Sequence, residues 1–512
     1  AINGRTARHE TSEIRKKDEE ITIGGAQAKP EKRPKQRSIP AGFLPPGQRF
    51  PAVSDNLAGT KTHSPRRFSE GSMRKRTFPR AAALVAGREP CMMPAMSDWN
   101  FMAVIILVGL FALWKLEFAA TLLNLKAFPS AVPKGFEDVM DTEKLDQARD
   151  YLRAHAKFGI IESTVSLAVM VVFWSLGGFG WLDDWARSLG YPEVVTGLVF
   201  LTTLLVGQSL IGLPFSIYDT FVIEEKFGFN RSTFATFVMD RVKGMVLGAI
   251  IGLPLAAAVL WIFGNVPNAW LWAWAVVTAF QMILTYLAPS LIMPLFNKFT
   301  PMPDGPLKNA IEALGVKCGF PLTGVFVMDG SKRSTKANAF FTGLGKRKKI
   351  ALFDTLVEKS SQAELLGVLA HEIGHFRCGH IKQRLVVGVL QMAVIFFLLG
   401  LATDPDGKFA RLLFDAFGVK QISPHAGLVF FSILLEPVSK ALSVLANAWS
   451  RKHEFEADAY AAKMTGDGAA LGEALKKLSA DHLSHPSPAA LRVWLDYSHP
   501  PLLQRLEALK GK

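Results

Sequence analysis

The chain has 512 residues, 49% of them hydrophobic and 11% aromatic against 20% charged, with a net charge of +14. A mean hydropathy of +0.22, with the apolar residues gathered into long uncharged runs, excludes an ordinary soluble enzyme and indicates a membrane protein. The charge is local: residues 1–95 hold 19 Lys and Arg against 9 Asp and Glu, whereas the remainder hold 39 against 35, too little excess for nucleic-acid binding.

Residues 1–95 are rich in Pro, Ser, Lys and Arg, as in Lys29-Pro30-Glu31-Lys32-Arg33-Pro34. Such a stretch cannot bury enough apolar surface to offset its ordering entropy and is expected to be disordered. It has no apolar stretch of the secretory kind, and its acids fit poorly with an organellar transit peptide. The expectation is that it is absent from the mature protein, which then starts at Met96, with Met92 and Met93 as alternatives.

Apolar runs predict spans at 101–118, 158–182, 194–213, 244–263, 270–293, 385–402 and 427–449. Lys115 and Glu117 interrupt the first and must snorkel or face protein. Glu436 and Lys440 interrupt the last, one helical turn apart, and are expected to pair within the bundle. Connections 115–157, 219–243 and 292–384 and the C-terminal segment are the basic ones, which places them in the cytoplasm and the start of the first span outside. The expected organisation is five spans within 96–303, a peptidase-like segment at 304–384, two more spans at 385–449 and a C-terminal segment at 450–512.

Within the long connection, Leu322–Met328 alternates as a strand. Asn338–Phe341 and Lys349–Phe353 flank a Gly-rich turn like a hairpin. Ser361 with Glu364 makes a capping box that opens a helix. On that helix lies His371-Glu372-Ile373-Gly374-His375. Residues i and i+4 share a helical face, so the two imidazoles converge on one point. Glu372 is rotated by about 100° and can reach a metal-bound water without being a ligand. Two imidazoles and a carboxylate suit zinc. In a chain of this composition the pattern arises by chance with odds of about 1%. Eight of the eleven histidines lie beyond residue 370.

A third ligand is expected where the seventh span leaves the membrane, in Ser450-Arg451-Lys452-His453-Glu454-Phe455-Glu456-Ala457-Asp458. Glu454 and Asp458 share a face. If Glu454 faces the HExxH helix it completes the metal site, and Asp458, one turn on, is then expected to accept a hydrogen bond from the far nitrogen of a liganding imidazole. His453 and His380 are the alternatives.

These motifs resemble those of the type I CaaX prenyl endopeptidases, integral-membrane gluzincin metalloproteases. The resemblance also rests on Pro214–Asn230, similar to a cytoplasmic loop of that family, on Asn338-Ala339-Phe340-Phe341, similar to its substrate-binding edge strand, and on Ser498-His499-Pro500-Pro501, similar to its C-terminal histidine motif. It covers roughly 96–512. It implies a mainly α fold, a polytopic protein of seven membrane helices around a water-filled chamber, with a small β-hairpin-containing zinc metalloprotease domain. It also implies that His499 stabilises the oxyanion and that Asn338, Ala339 and Phe340 bind the substrate backbone.

Two departures from the eukaryotic pattern, a connection of only about fifteen residues from Thr355 to Ala370 and a short C-terminus, look prokaryotic. The bacterial inner membrane is therefore the expected location, with the endoplasmic reticulum as alternative. The expected activity is zinc-dependent cleavage, near the C-terminus, of CaaX-type or other membrane-associated peptide or protein substrates, prenylated or not. The competing readings are a membrane quality-control metalloprotease, a transporter, or a scaffold that keeps the metal without turnover. Cys91, Cys318 and Cys378 form no disulfide framework or CxxC pair and are read as packing residues.

Overall fold

The computed structural model describes residues 100–342 and 348–510; the 1–95 extension, Cys91 and the Gly-rich turn at 343–347 lie outside the described residues. In chain order the first half holds α1 (Phe101–Lys126), α2 (Thr142–Ser175), α3 (Gly178–Ser188), α4 (Glu193–Tyr218), α5 (Phe234–Asn265), α6 (Ala269–Leu287) and α7 (Met293–Phe296). A connecting region follows with β1 (Phe299–Pro301), α8 (Pro306–Lys317), β2 (Leu322–Met328), β3 (Ala339–Thr342), β4 (Lys348–Phe353), α9 (Asp354–Lys359) and α10 (Gln362–Arg377). The rest comprises α11 (His380–Ala402), α12 (Lys408–Ala416), α13 (Pro424–Thr465), α14 (Ala469–Asp481), α15 (Ala490–Asp496) and α16 (Leu502–Leu509).

Among the described residues, seven helical segments are long and apolar enough to cross a membrane: 101–126, 142–175, 193–224, 234–265, 269–296, 380–402 and 424–465. Each expected span falls on one of them. Most are longer than hydropathy suggests because polar turns extend them, as where Asp141 caps α2 by accepting the Lys144 N–H at 2.7 Å. The second span stops at Ser175, short of the expected 182. Gly177 takes a left-handed φ of 70°, which turns the chain into α3. Side chains such as Val108, Leu210 and Ile250 stand more than 60% exposed, the arrangement lipid contact requires. No span buries more than 17% of its apolar window, so most of each apolar surface is left uncovered by protein.

The expected Glu436–Lys440 pair does not form. Lys440 instead pairs with Glu117 on α1 and, at 2.6 Å, with Asp496 on α15. Arg492 joins the same two acids at 2.9 and 3.1 Å. Partners on other helices compensate these charges better than a neighbour one turn away on the same helix surface, because together they form a closed network of two cations and two anions. Glu117 therefore faces protein. Asn124 adds a second tie from α1, its Oδ1 accepting the Ala489 N–H at 3.0 Å.

The sheet has the order β1-β2-β4-β3, with β2 and β4 parallel and the outer pairs antiparallel. β2 has the bounds its alternation predicts, and β3 and β4 pair as the hairpin-like pattern predicts. β1 was not expected; its three residues are too short to carry a period. β3 is an edge strand. Beneath the sheet, Leu365, Leu369 and Ile373 of α10 pack with Ile350, Leu352, Ala461 and Leu471 into a second core, separate from the one among the membrane helices.

α13 runs unbroken for 42 residues, so the seventh span and the segment bearing Glu454 and Asp458 are one helix. It crosses α10 at close range. A Cβ placed on Gly374 would lie 3.1 Å from both Cα and the carbonyl oxygen of Ala457, backbone atoms that cannot yield. Gly374→Val should therefore force the helices apart and destabilise the protein by about 1–3 kcal/mol, read as a lowered thermal midpoint in detergent. A midpoint equal to wild type would show that the crossing is not close-packed.

Candidate metal centre and substrate groove

The site begins at the start of α10. Ser361 Oγ accepts the Glu364 N–H at 3.3 Å, and Glu364 Oε2 accepts the Ser361 N–H at 2.9 Å, the capping box expected from sequence. From that start the helical phase turns the apolar residues to the core and His371 and His375 to α13. There Glu454 meets them. His371 Nε2 and His375 Nε2 are 3.2 Å apart, His371 Nε2 is 3.4 Å from Glu454 Oε2, and His375 Nε2 is 3.3 Å from Glu454 Oε1.

The Glu454 carboxylate thus faces both imidazole nitrogens, one oxygen to each, and the separations are of the order expected for donors gathered ~2.0–2.1 Å around one ion. Glu454 is 2% exposed, and its Oε2 is buried without a hydrogen-bond partner. Such an orphan is costly unless a cation meets it. Donor type, spacing and the orphaned oxygen all fit a divalent metal ion.

The far sides of both imidazoles are held as well. His371 Nδ1 donates to Asp458 Oδ1 at 2.7 Å, which leaves the Nε2 lone pair for the centre of the triangle. Asp458 is gripped in turn by Arg505 of α16, through Nε at 2.8 Å and Nη2 at 2.6 Å. His375 Nδ1 lies 3.0 Å from His380 Nδ1, and His380 Nε2 lies 2.9 Å from Glu456 Oε2. Burial opposes protonation of His371, but its hydrogen bond to Asp458 and the Glu454 carboxylate beside it outweigh burial and push its pKa up to about 9. Burial pushes the Glu372 carboxyl above the ordinary carboxylate range, while the two neighbouring imidazoles pull it back. A carboxylate raised in this way holds a proton more readily than one in water.

A cavity of about 520 Å³ opens beside the triangle, lined among others by Asn338, Ala339, His371, Glu372, His499 and Arg505. β3 forms one wall. The Phe353 N–H donates to Asn338 O at 3.0 Å, so the Asn338 carbonyl faces β4. Antiparallel alternation then turns the Ala339 N–H and carbonyl to the open edge. Asn338 Oδ1 accepts that N–H at 2.8 Å. His499 Nε2 is 3.5 Å from Glu454 Oε2, with the side chain 64% exposed.

The structure thus places Asn338, Ala339, His371, Glu372 and His499 on one cavity, with His375, Glu454 and Asp458 gathered against His371 behind it. Phe340 stands on the same strand but packs toward Phe353, ring centroids 6.5 Å apart. His380 and His453 are not in the triangle; they lie beside it with Glu456.

Sequence reading missed two residues. Arg505 could have been found: two carboxylates buried one turn apart require a countercharge, and α16 places Arg505 within an apolar stripe of Leu502, Leu506 and Leu509. His482, whose Nε2 accepts the Ala337 N–H at 3.0 Å just before β3, carries no local signal. It precedes Leu483, which holds a left-handed φ of 51°.

Residues 121–298 match the family model described as CAAX prenyl protease N-terminal, five membrane helices, and residues 301–512 match Peptidase family M48. CAAX prenyl protease 1 of Saccharomyces cerevisiae is 38% identical over 407 residues, covering 75% of this chain and 89% of the relative. The rice CAAX prenyl protease 1 homolog is 36% identical over 388 residues, covering 74% and 90%. The human homolog is 33% identical over 459 residues, covering 80% and 95%. Among solved structures, the crystal structure of S. mikatae Ste24p superposes with a TM-score of 0.74 at 36% identity, covering 80% of this chain and 99% of that one. With the seven spans and the HExxH helix already placed, these likenesses establish that the chain belongs to peptidase family M48, as an integral-membrane metalloendopeptidase of its CAAX prenyl protease group.

Proposed function

We propose that the resident ion is zinc and that the enzyme cleaves peptide bonds near the C-terminus of prenylated CaaX-type proteins at the cytoplasmic membrane surface. The observation that carries this reading is the donor triangle opening onto a groove walled by an edge strand. The relatives' name, CAAX prenyl protease, supports the substrate class. The basic connections support a cytoplasmic-facing site, in the bacterial inner membrane or equally in the endoplasmic reticulum.

His371, His375 and Glu454 would hold the zinc. When bound, it supplies a positive centre that polarises the scissile carbonyl and lowers the pKa of the attacking water. The residues around it divide the remaining work. β3 takes the substrate backbone as an added strand, the Ala339 N–H exchanging Asn338 Oδ1 for a peptide carbonyl. Glu372 accepts a proton from the attacking water and returns it to the leaving amine, a task its raised affinity for protons suits. His499, exposed to the groove, donates to the oxygen on which charge develops. Asp458 and Arg505 keep His371 in the tautomer that presents Nε2.

The direct test is cleavage of prenylated and unprenylated CaaX peptides by purified protein, with and without a chelator. Activity that survives full zinc removal would refute the reading, and equal turnover of both peptides would remove the prenyl group from recognition. Glu372→Gln should abolish cleavage while leaving zinc bound, because the residue handles protons and is not a ligand; near wild-type turnover would disprove its role. Asp458→Asn should lower zinc affinity or turnover roughly 10–100-fold, the usual cost of losing a ligand's orienting partner. An unchanged enzyme would remove Asp458 from the site. Ala339→Pro deletes the edge N–H and should raise KM strongly, whereas Ala339→Ser keeps the ladder and should be mild. Equal effects of the two would count against strand addition.

A further inference from the structure

β3 supplies a wall of the groove, and the chain that leads into it is attached to the membrane half of the protein. That chain pairs with the connection between the third and fourth spans: the Arg231 N–H donates to Arg333 O at 3.0 Å and the Thr335 N–H to Phe229 O at 3.1 Å. Side chains follow the same direction. Arg333 forks onto Asp240 of α5 at 2.7 and 3.0 Å. Lys336, two residues before Asn338, donates to Glu224 Oε2 at 2.9 Å and to the Tyr151 hydroxyl at 3.0 Å. Its Nζ lies 4.5 Å from the centre of the Phe229 ring, and Tyr151 donates to the other Glu224 oxygen.

Glu224 owes its placement to a π-helical turn, Asp219–Glu224, at the end of the third span. Such a turn bonds residues five apart, so Asp219 and Glu224 share a face, where His155 meets them at 3.5 and 3.3 Å. An exposed ion pair would be worth little. This one is half-buried, with the Lys336 and Glu224 side chains 34% and 17% exposed, and is screened less by salt. The platform also reaches a second group that holds β3. Leu483 packs with Phe227 and Phe229 in one apolar cluster, and its neighbour His482 accepts the Ala337 N–H at 3.0 Å.

We propose that Glu224, acting through Lys336, is a positioning residue for the peptide substrate: it fixes where the β3 edge stands relative to the metal donors. The inference rests on the strand addition proposed above. Ala339 follows Lys336 by three residues, about 10 Å of extended chain, and a stiff strand carries a shift at its start to the Ala339 N–H. A misplacement of about 1 Å at a reacting centre can cost about 10²-fold. Neither residue is among the metal donors or the hydrogen-bond partners that orient them, so the effect falls on peptide binding.

Kinetics of the full-length protein in detergent on a prenylated CaaX peptide, with zinc counted by mass spectrometry, test the role. Lys336→Met, which keeps the stem and removes the charge, should raise KM about tenfold with zinc content unchanged and kcat within about a factor of two. Glu224→Lys should raise KM further, and adding Lys336→Glu to it should recover most of the loss. Hydrogen exchange, which needs no substrate, should quicken over 334–342 in Lys336→Met while α10 and α13 keep wild-type protection. Unchanged exchange, faster exchange without a rise in KM, a loss falling on kcat or zinc content, or a swap no better than Glu224→Lys alone would each overturn the proposal. Wild-type protein that leaves the peptide uncut would refute the reading of the function itself, an outcome the exchange measurement tells apart from failure of the Glu224 tie.

Discussion

The crossing of α10 and α13 is the constraint on which the rest of the molecule depends. Gly374 lets the two backbones approach so closely that a carboxylate from one helix reaches two imidazoles from the other at 3.3–3.4 Å. The same approach buries Glu454 and Asp458 one turn apart, a costly arrangement for two acids. Their charge is met on one side by His371 and on the other by Arg505, which contacts Asp458 at 2.6 Å and lies 3.8 Å from Glu454. The C-terminal helix is therefore needed where it is for electrostatic reasons as much as for packing.

Membrane and peptidase parts share this helix. Because α13 is continuous, any tilt of the seventh span moves Glu454, and the site is referred directly to the bilayer. The Glu117, Lys440, Arg492 and Asp496 network ties α1 and α15 to the same rod at its midpoint. Charges that would be costly beside lipid are thereby neutralised between helices and connect the first and seventh spans to the C-terminal segment. On the opposite wall, β3 remains an edge because β1 and β2 extend the sheet in the other direction. His482 and Asn338 each hold a backbone N–H at its start, keeping the strand extended beside the candidate metal centre.

Much of this was legible in the sequence, and for local reasons. Seven apolar runs must be spans, because hydrophobic length is a property of consecutive residues. The capping box, the i, i+4 histidines and the i, i+4 acids are also short-range patterns, and each appears on the helix that its spacing predicts. Long-range pairing was not legible. Spacing suggested that Lys440 would pair with Glu436, yet its partners come from residues 117 and 496. His453 and His380 looked like substitutes for Glu454, and instead they gather with Glu456 beside it.

The sequence by itself determined the class of protein, the number of spans, the helix that carries the chemistry and the kinds of donor available to a metal. Those properties follow from periodicity and residue type within one or two dozen residues. Only the tertiary structure decided that His371 and His375 converge on Glu454, that Arg505 closes the charge balance, and that β3 keeps a free edge beside them. Each of these depends on the distance between elements far apart in the chain, and that distance is set by packing at positions such as Gly374 and Ala457, which carry no chemical signature of their own.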